Sequence, residues 1–161
     1  MATAPPPGGD LLQADLIIEY PFNRTTGPVI GAFFTGLINR RILGIRGVDG
    51  RVICPPVEYD PVTGESLTEL VPVADAGVVE SWTWVSTPRP TEPFDGPYAL
   101  ALIRLDGADT AMLHGVVAPA PDSVRTGSRV RARWADERTG AITDIVAFDL
   151  VEAPTSGGAT R

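Results

Sequence analysis

The sequence contains no lysine, and it has one cysteine and one histidine among its 161 residues. Without lysine, the chain cannot form a Schiff base with a carbonyl substrate. A single cysteine, Cys54, excludes a disulfide within the chain and a zinc site built from thiolates. A single histidine, His114, excludes a metal site built from several imidazoles. We therefore expect this chain to hold no metal and no cofactor.

Long apolar runs and a basic leader are also missing. No run of apolar residues is long enough to cross a bilayer, and residues 1–15 lack the basic and apolar regions of a signal peptide. We interpret residues 1–15 as a disordered leader and residues 151–161 as a disordered tail, and we expect a cytoplasmic protein without membrane contact. The net charge is -7. That charge argues against nucleic acid as a partner, because nucleic-acid binding needs a basic face.

The segment 16–41 is predicted to contain an N-terminal helix. Thr26 is a suitable N-cap and Pro28 fits the first turn. Apolar residues then recur at helical spacing over about three turns; they are Ile30, Phe33, Phe34, Leu37 and Ile38. Two interpretations stay open: this face packs on the chain's own core, or it docks a partner subunit.

The rest of the chain has the pattern of a β protein. Asp49-Gly50 lies between two short apolar segments, 42–46 and 51–54, and predicts a hairpin. From residue 69 onward, short alternating segments separated by turn residues predict five or six strands, as in a sandwich or a small barrel. The candidate strands are 69–74, 78–85, 98–105, 111–117, 129–134 and 142–148. The long break at 86–97 lies between the first two of the barrel strands, where OB-folds carry a binding loop.

Five motifs together resemble a known family, the zinc-ribbon and OB-fold proteins associated with acyl-CoA metabolism, long described as a domain of unknown function. The motifs are Pro21-Phe22, the segments 40–46 and 50–56, the turn 60–64, and the Trp-containing segment 79–85. The resemblance implies a mainly β chain. An N-terminal helix would precede a rubredoxin-like zinc ribbon at 42–75 and a five-stranded OB-fold barrel at 76–150.

The resemblance also places the four metal-ligand positions of the ribbon, at Arg46, Asp49, Asp60 and Thr63. None of these is cysteine or histidine, so we expect a degenerate ribbon that retains its fold without zinc. We expect Arg46 to pair with Asp49 or Asp60 and to hold the two turns together in place of the metal. Because an exposed ion pair contributes only about 0–1 kcal/mol, such a ribbon would depend on neighbouring protein for stability.

Members of this family bind thiolase-fold enzymes that act on acyl-CoA, including lipid-transfer-protein-like thiolases and the aldolases that shorten steroid side chains. The resemblance therefore implies a non-catalytic accessory subunit in a hetero-oligomer, which stabilises such an enzyme and helps to shape its acyl-CoA site. We assign the partner contact to the helix residues Ile30, Phe33, Phe34 and Leu37.

Three arginines alternate along one predicted strand, so Arg129, Arg131 and Arg133 share a face. This face is either a solvated surface or a site for phosphates, those of CoA or of a nucleic-acid backbone. Trp82 and Trp84 likewise share a strand face, as half-buried core residues or as a base-stacking platform. Single-stranded nucleic-acid binding is therefore the alternative function.

No catalytic set is apparent in the sequence. A general base needs a partner and an orienting group, and His114 has no nucleophile beside it, so we interpret it as structural. Cys54 is interpreted as a buried apolar substitute. An independent acyl-CoA hydrolase or hydratase is a third hypothesis, and the absence of a nucleophile–base pair argues against it.

Overall fold

The structure is a computed structural model that describes residues 25–151. The leader 1–15, the start of the segment 16–41 with its Pro21-Phe22 motif, and residues 152–161 of the tail lie outside this part of the chain. The described elements are α1 (Gly27–Ile38), β1 (Ile42–Arg46), β2 (Val52–Ile53), β3 (Leu70–Val73), β4 (Ala76–Val85), β5 (Tyr98–Leu105), β6 (Ala111–Val117), β7 (Arg129–Trp134) and β8 (Ile145–Leu150). No helix within the described range is long and apolar enough to span a bilayer.

The first three strands form a small antiparallel sheet in the order β2-β1-β3. The predicted hairpin between β1 and β2 is confirmed, and its turn closes with a 3.0 Å hydrogen bond from the Gly50 N–H to the Gly47 carbonyl. One face of this sheet is covered by a small core of Val29, Ile45 and Leu67. The sheet therefore shares its core with the first turn of α1.

The last five strands form a closed barrel in the order β4-β5-β6-β8-β7, with β7 returning to β4. All pairs are antiparallel except β6 with β8. This strand order is that of the five-stranded Greek-key barrel of the OB-fold, so the predicted barrel is confirmed. A bulge between Val79 and Ser81 in β4 bends this long strand, and β4 can then pair with β5 along its length and with β7 at its start.

The helix α1 joins the two cores through one row of side chains spaced four residues apart. Val29 packs in the small core, whereas Phe33 and Leu37 pack in the large core inside the barrel end. Thr26 occupies the predicted N-cap position and Pro28 lies in the first turn, although the Thr26 side chain makes no capping hydrogen bond. At the other end, the Arg138 Nε donates a 2.7 Å hydrogen bond to the Ile38 carbonyl. The loop between β7 and β8 thus anchors the helix.

The last strand begins later than its apolar pattern predicts, at Ile145 rather than Ile142. Residues Ile142–Asp144 form a short 3-10 turn instead. The buried Asp144 carboxylate accepts hydrogen bonds of 2.9 and 2.8 Å from the N–H groups of Thr139 and Gly140. These bonds fold the β7–β8 loop back on itself and delay the start of β8.

Candidate functional site

The β1–β2 turn and the turn at 60–64 meet at one carboxylate. Asp60 is only 6% exposed, and it accepts a 3.1 Å hydrogen bond from the Val48 N–H in the β1–β2 turn. It also accepts bonds of 2.9 and 3.0 Å from the N–H groups of Val62 and Thr63 in its own turn. These bonds favour the charged form and hold the pKa of Asp60 below its ordinary value, against the opposing effect of burial.

The ion pair that we expected to join the two turns, between Arg46 and Asp49 or Asp60, is not the one that the structure contains. Arg46 donates to Glu69 at 2.8 Å and to the Gly50 carbonyl at 3.1 Å, while Asp49 pairs with Arg51. The predicted pairing of Arg46 with Asp49 or Asp60 is therefore wrong. The turns are joined by charge-assisted bonds to backbone N–H groups, a link that sequence spacing alone does not reveal. The described residues include no group of three or more potential ligand side chains that could hold a metal.

The small sheet is also tied to the barrel. The Val52 N–H donates to the Asp109 carboxylate at 2.8 Å, and the Cys54 N–H donates to the Thr110 hydroxyl at 2.8 Å. Both acceptors lie in the β5–β6 connection, so the free edge of β2 is covered by the barrel. Cys54 itself is buried, and burial raises the pKa of its thiol to about 12. A thiol in this environment is not a poised nucleophile.

The helix face assigned to a partner divides into two rows. Phe33 and Leu37 are 3% and 0% exposed and belong to the chain's own core, so the assignment of these two residues to a partner surface needs correction. The physical reason is that α1 closes the barrel core, which the sequence cannot reveal. Ile30 and Phe34, with the partly exposed Ile38, form the adjacent row that a partner can reach. Contact through this row stays a prediction.

The arginine stripe on β7 is exposed, as its alternation predicts. Arg129 makes a two-pronged ion pair with Asp106, at 2.8 and 2.6 Å, and Arg133 lies 3.4 Å from the Asp149 carboxylate. Within residues 25–151, no hydrogen bond or ion pair involves the Arg131 guanidinium. Arg131 is thus the member of the stripe that remains available for an anion.

A pocket lies on the outer face of β5 and β6, between the β4–β5 loop and the β7–β8 loop. Its volume is about 410 Å³. OB-folds bind their ligands at this place, on the face of barrel strands 2 and 3 between the same two loops. The walls of the pocket are apolar. They are formed by Phe94 of the β4–β5 loop, Leu100 of β5, Leu113 of β6, Ile142 of the β7–β8 loop and Val146 of β8.

The β4–β5 loop reaches this face because β6 has a glycine there. A side-chain carbon on Gly115 would come within 2.2 Å of the Phe94 ring, so only glycine lets the ring lie on the strand. The Phe94 ring also packs against Tyr98, with centroids 4.3 Å apart. The Tyr98 hydroxyl donates a 3.1 Å hydrogen bond to Glu92. The wall of the pocket is therefore built by specific contacts.

His114 lies at the edge of this pocket, and its ring is held by contacts within the barrel. Its Nδ1 accepts a 2.9 Å hydrogen bond from the Gly115 N–H, and its ring packs edge-on against Phe148. Burial lowers the pKa of His114, although hydrogen bonds with the backbone of Gly115 and Ile145 oppose the shift. A neutral, packed imidazole of this kind matches the structural interpretation of the sequence.

Sequence reasoning placed a binding loop at 86–97 but missed the pocket beneath it. Four apolar side chains on or beside the pocket face are 41–61% exposed: Leu102, Leu113, Ile142 and Val146. Gly115 inside a strand was the available signal, since glycine in a strand often marks a close approach. Trp82 and Trp84 lie opposite the buried Ala101 and Ala99 and pack against the barrel core, so they do not form a stacking platform on this face.

The part of the chain that matches a known protein family contains most of the barrel. Residues 70–135 match the family model of the ChsH2 C-terminal OB-fold domain. These residues run from β3 to the end of β7 and include the β4–β5 loop. No curated protein sequence matches the chain.

Two solved structures have a similar fold over most of the chain. One is a protein of unknown function from the DUF35 family of Sulfolobus solfataricus, with 20% identity and a TM-score of 0.56, covering 78% of this chain and 85% of that one. The other is a chain of the Ltp2-ChsH2(DUF35) aldolase, with 23% identity and a TM-score of 0.54, covering 82% of this chain and 97% of that one. At these identities the similarity establishes the fold.

Proposed function

We propose that this chain is a non-catalytic accessory subunit that binds and stabilises a thiolase-fold acyl-CoA enzyme and helps to shape its acyl-CoA site. The enzyme would be a thiolase or a retro-aldolase, in a pathway such as steroid side-chain degradation. The observation that carries the proposal is the match of residues 70–135 to the ChsH2 OB-fold domain. A chain of similar fold occurs in an aldolase whose description names both Ltp2 and ChsH2.

The chemistry of the described residues agrees with a non-catalytic role. The thiol with a raised pKa and the packed imidazole are the side chains most often used as nucleophile and base. Cys54 is buried beside the Leu43 carbonyl, 3.8 Å away, and the ring of His114 already engages its neighbours. Within residues 25–151, neither the Cys54 thiol nor the His114 ring makes a hydrogen bond to another side chain.

The partner contact in this proposal is the reachable row of α1, with Ile30 and Phe34 at its centre and Ile38 beside them. Large apolar side chains of this kind dominate interface energies when they are desolvated. The buried row beneath, including Phe33, keeps the helix rigid, so little ordering would accompany binding. The proposal also assigns Arg131 as the contact for a CoA phosphate, with Arg129 and Arg133 as weaker contributors because carboxylates already pair with them.

Co-expression of the full chain with a thiolase-fold acyl-CoA enzyme tests the proposal. We expect the two to purify as a stable hetero-oligomer in size-exclusion chromatography. Two proteins that elute separately at micromolar concentration would contradict it. The alternative, single-stranded nucleic-acid binding, would instead give oligonucleotide affinity that falls steeply with salt; the uncharged pocket face offers no observation in its favour.

A further inference from the structure

The pocket on the outer face of β5 and β6, here called the OB-face pocket, is lined mainly by apolar side chains. Its volume, about 410 Å³, lies within the range of small-molecule sites, which are lined mostly by apolar groups. None of its lining residues is an arginine or a carboxylate. An exposed leucine, Leu113, is 61% accessible at its rim, which leaves apolar surface in contact with water unless something covers it.

Two of the three polar side chains in the pocket lining are already engaged. The Tyr98 hydroxyl donates to Glu92, and the His114 Nδ1 accepts from the Gly115 N–H. The third is the exposed, uncharged hydroxyl of Thr143. A ligand with a charged group inside the pocket would lose its hydration without gaining an oppositely charged side chain as a partner. The arginine stripe lies on β7, a strand that does not line the pocket, and no arginine of the two flanking loops is among the lining residues.

We propose that this pocket binds an uncharged hydrocarbon group of a small molecule, held between the Phe94 ring and the leucines of β5 and β6. Phe94 would supply a flat apolar wall, and Gly115 would keep that wall against the strand. Any polar part of the ligand would remain outside, in the open mouth. The binding inference rests on this chain alone; only the source of the hydrocarbon, the substrate of a partner enzyme, rests on the proposed function.

Titration of the full chain with the neutral fluorophore Nile red tests the pocket directly. We expect saturable binding at one site. A series of neutral competitors, from hexan-1-ol to decan-1-ol, should displace the probe, with a gain of about fourfold in affinity for each buried methylene. No saturable binding, or competitor affinity that does not depend on chain length, would overturn the inference.

A matched pair of substitutions locates the site. Leu113→Trp places an indole in the pocket mouth, whereas Leu102→Trp adds the same group to the same sheet face outside this pocket. Because Leu113 and Leu102 are 61% and 41% exposed, both variants should fold. We expect at least tenfold weaker Nile red binding for Leu113→Trp and unchanged binding for Leu102→Trp. Equal binding by both variants would overturn the assignment. Val146→Trp repeats the test from the opposite wall.

Co-purification with the acyl-CoA enzyme separates this inference from the proposed function. We expect Leu113→Trp to retain the complex while it loses the probe. If Leu113→Trp abolishes the complex and the wild-type chain alone binds no Nile red, the pocket is a protein contact and the inference fails. If no complex forms with any variant but the probe binds as described, the proposed function fails and the pocket assignment stands.

Discussion

The carboxylate of Asp60 accepts a hydrogen bond from the backbone N–H of Val48, which lies 12 residues earlier in the chain. The same carboxylate also accepts from Val62 and Thr63, so one side chain organises both turns of the small sheet. In a metal-binding ribbon, these two turns would each present ligands to an ion. In this chain an anionic acceptor surrounded by N–H donors joins the two turns.

The first prediction concerns this carboxylate. Asp60→Ala leaves three backbone N–H groups without their acceptor in a buried place, and unsatisfied buried donors are costly. We expect the melting temperature to fall by about 5 °C or more. Asp49→Ala is the matched control, because Asp49 lies in the neighbouring turn but pairs with Arg51 on the surface. Equal melting temperatures of the two variants, measured by circular dichroism, would show that Asp60 does not hold the turns together.

The second prediction follows from the lowered pKa values of Asp60 and Asp144. A carboxyl group whose pKa is lower in the folded than in the unfolded chain stabilises the fold above the unfolded value, near 3.8. That contribution is lost as the pH falls through the folded pKa. We therefore expect the carboxylate contribution to be lost below about pH 4. The lowered pKa of His114 adds a separate loss of stability, which begins as the pH falls below the ordinary imidazole value of 6.5 and is common to the wild type and the Asp60 variant. Asp60→Asn should melt lower at neutral pH and show a shallower fall in acid. An acid profile identical to wild type would contradict this.

The third prediction separates the two rows of α1. Phe33→Ala removes a core side chain and should lower the free energy of unfolding by about 3 kcal/mol. Phe34→Ala removes a half-buried side chain from the reachable row and should cost less stability, yet it should weaken the complex with the acyl-CoA enzyme at least tenfold. Thermal unfolding and a pull-down of both variants make the comparison. A Phe34 variant that binds the enzyme normally would remove the helix from the interface.

The β pattern of the sequence predicted the barrel well because strands half exposed to water alternate strictly. Tyr98–Leu105 and Ala111–Val117 begin and end where the pattern places them. The buried row of α1 was harder to predict, because both rows consist of large apolar residues at helical spacing. Which row faces inward depends on the position of the barrel end, and that is fixed by long-range contacts such as the bond between Arg138 and the Ile38 carbonyl.

The site shows the same division between local and long-range information. The loop at 86–97 was placed correctly by its proline-rich composition. The pocket below it depends on Phe94 lying over Gly115, residues on different elements whose contact no local pattern specifies. Likewise, the arginine stripe was visible as an alternation, whereas its neutralisation by Asp106 and Asp149 depends on strand register.

The fourth prediction is that the purified chain carries no stoichiometric zinc. Arg46 and Thr63 occupy two of the four inferred ligand positions and cannot act as thiolate or imidazole ligands. We expect elemental analysis to give far less than one zinc per chain, and the melting temperature to be unchanged by a chelator. About one zinc per chain that survives chelation would show that the ligand positions were assigned wrongly.

The most direct test of the accessory role is to measure acyl-CoA turnover by the chain alone, by the thiolase-fold enzyme alone and by their complex. The account predicts no turnover by the chain alone, and a complex that is more active or longer-lived at 37 °C than the isolated enzyme. Turnover by the isolated chain that His114→Ala abolishes would contradict the account and identify this protein as an enzyme in its own right.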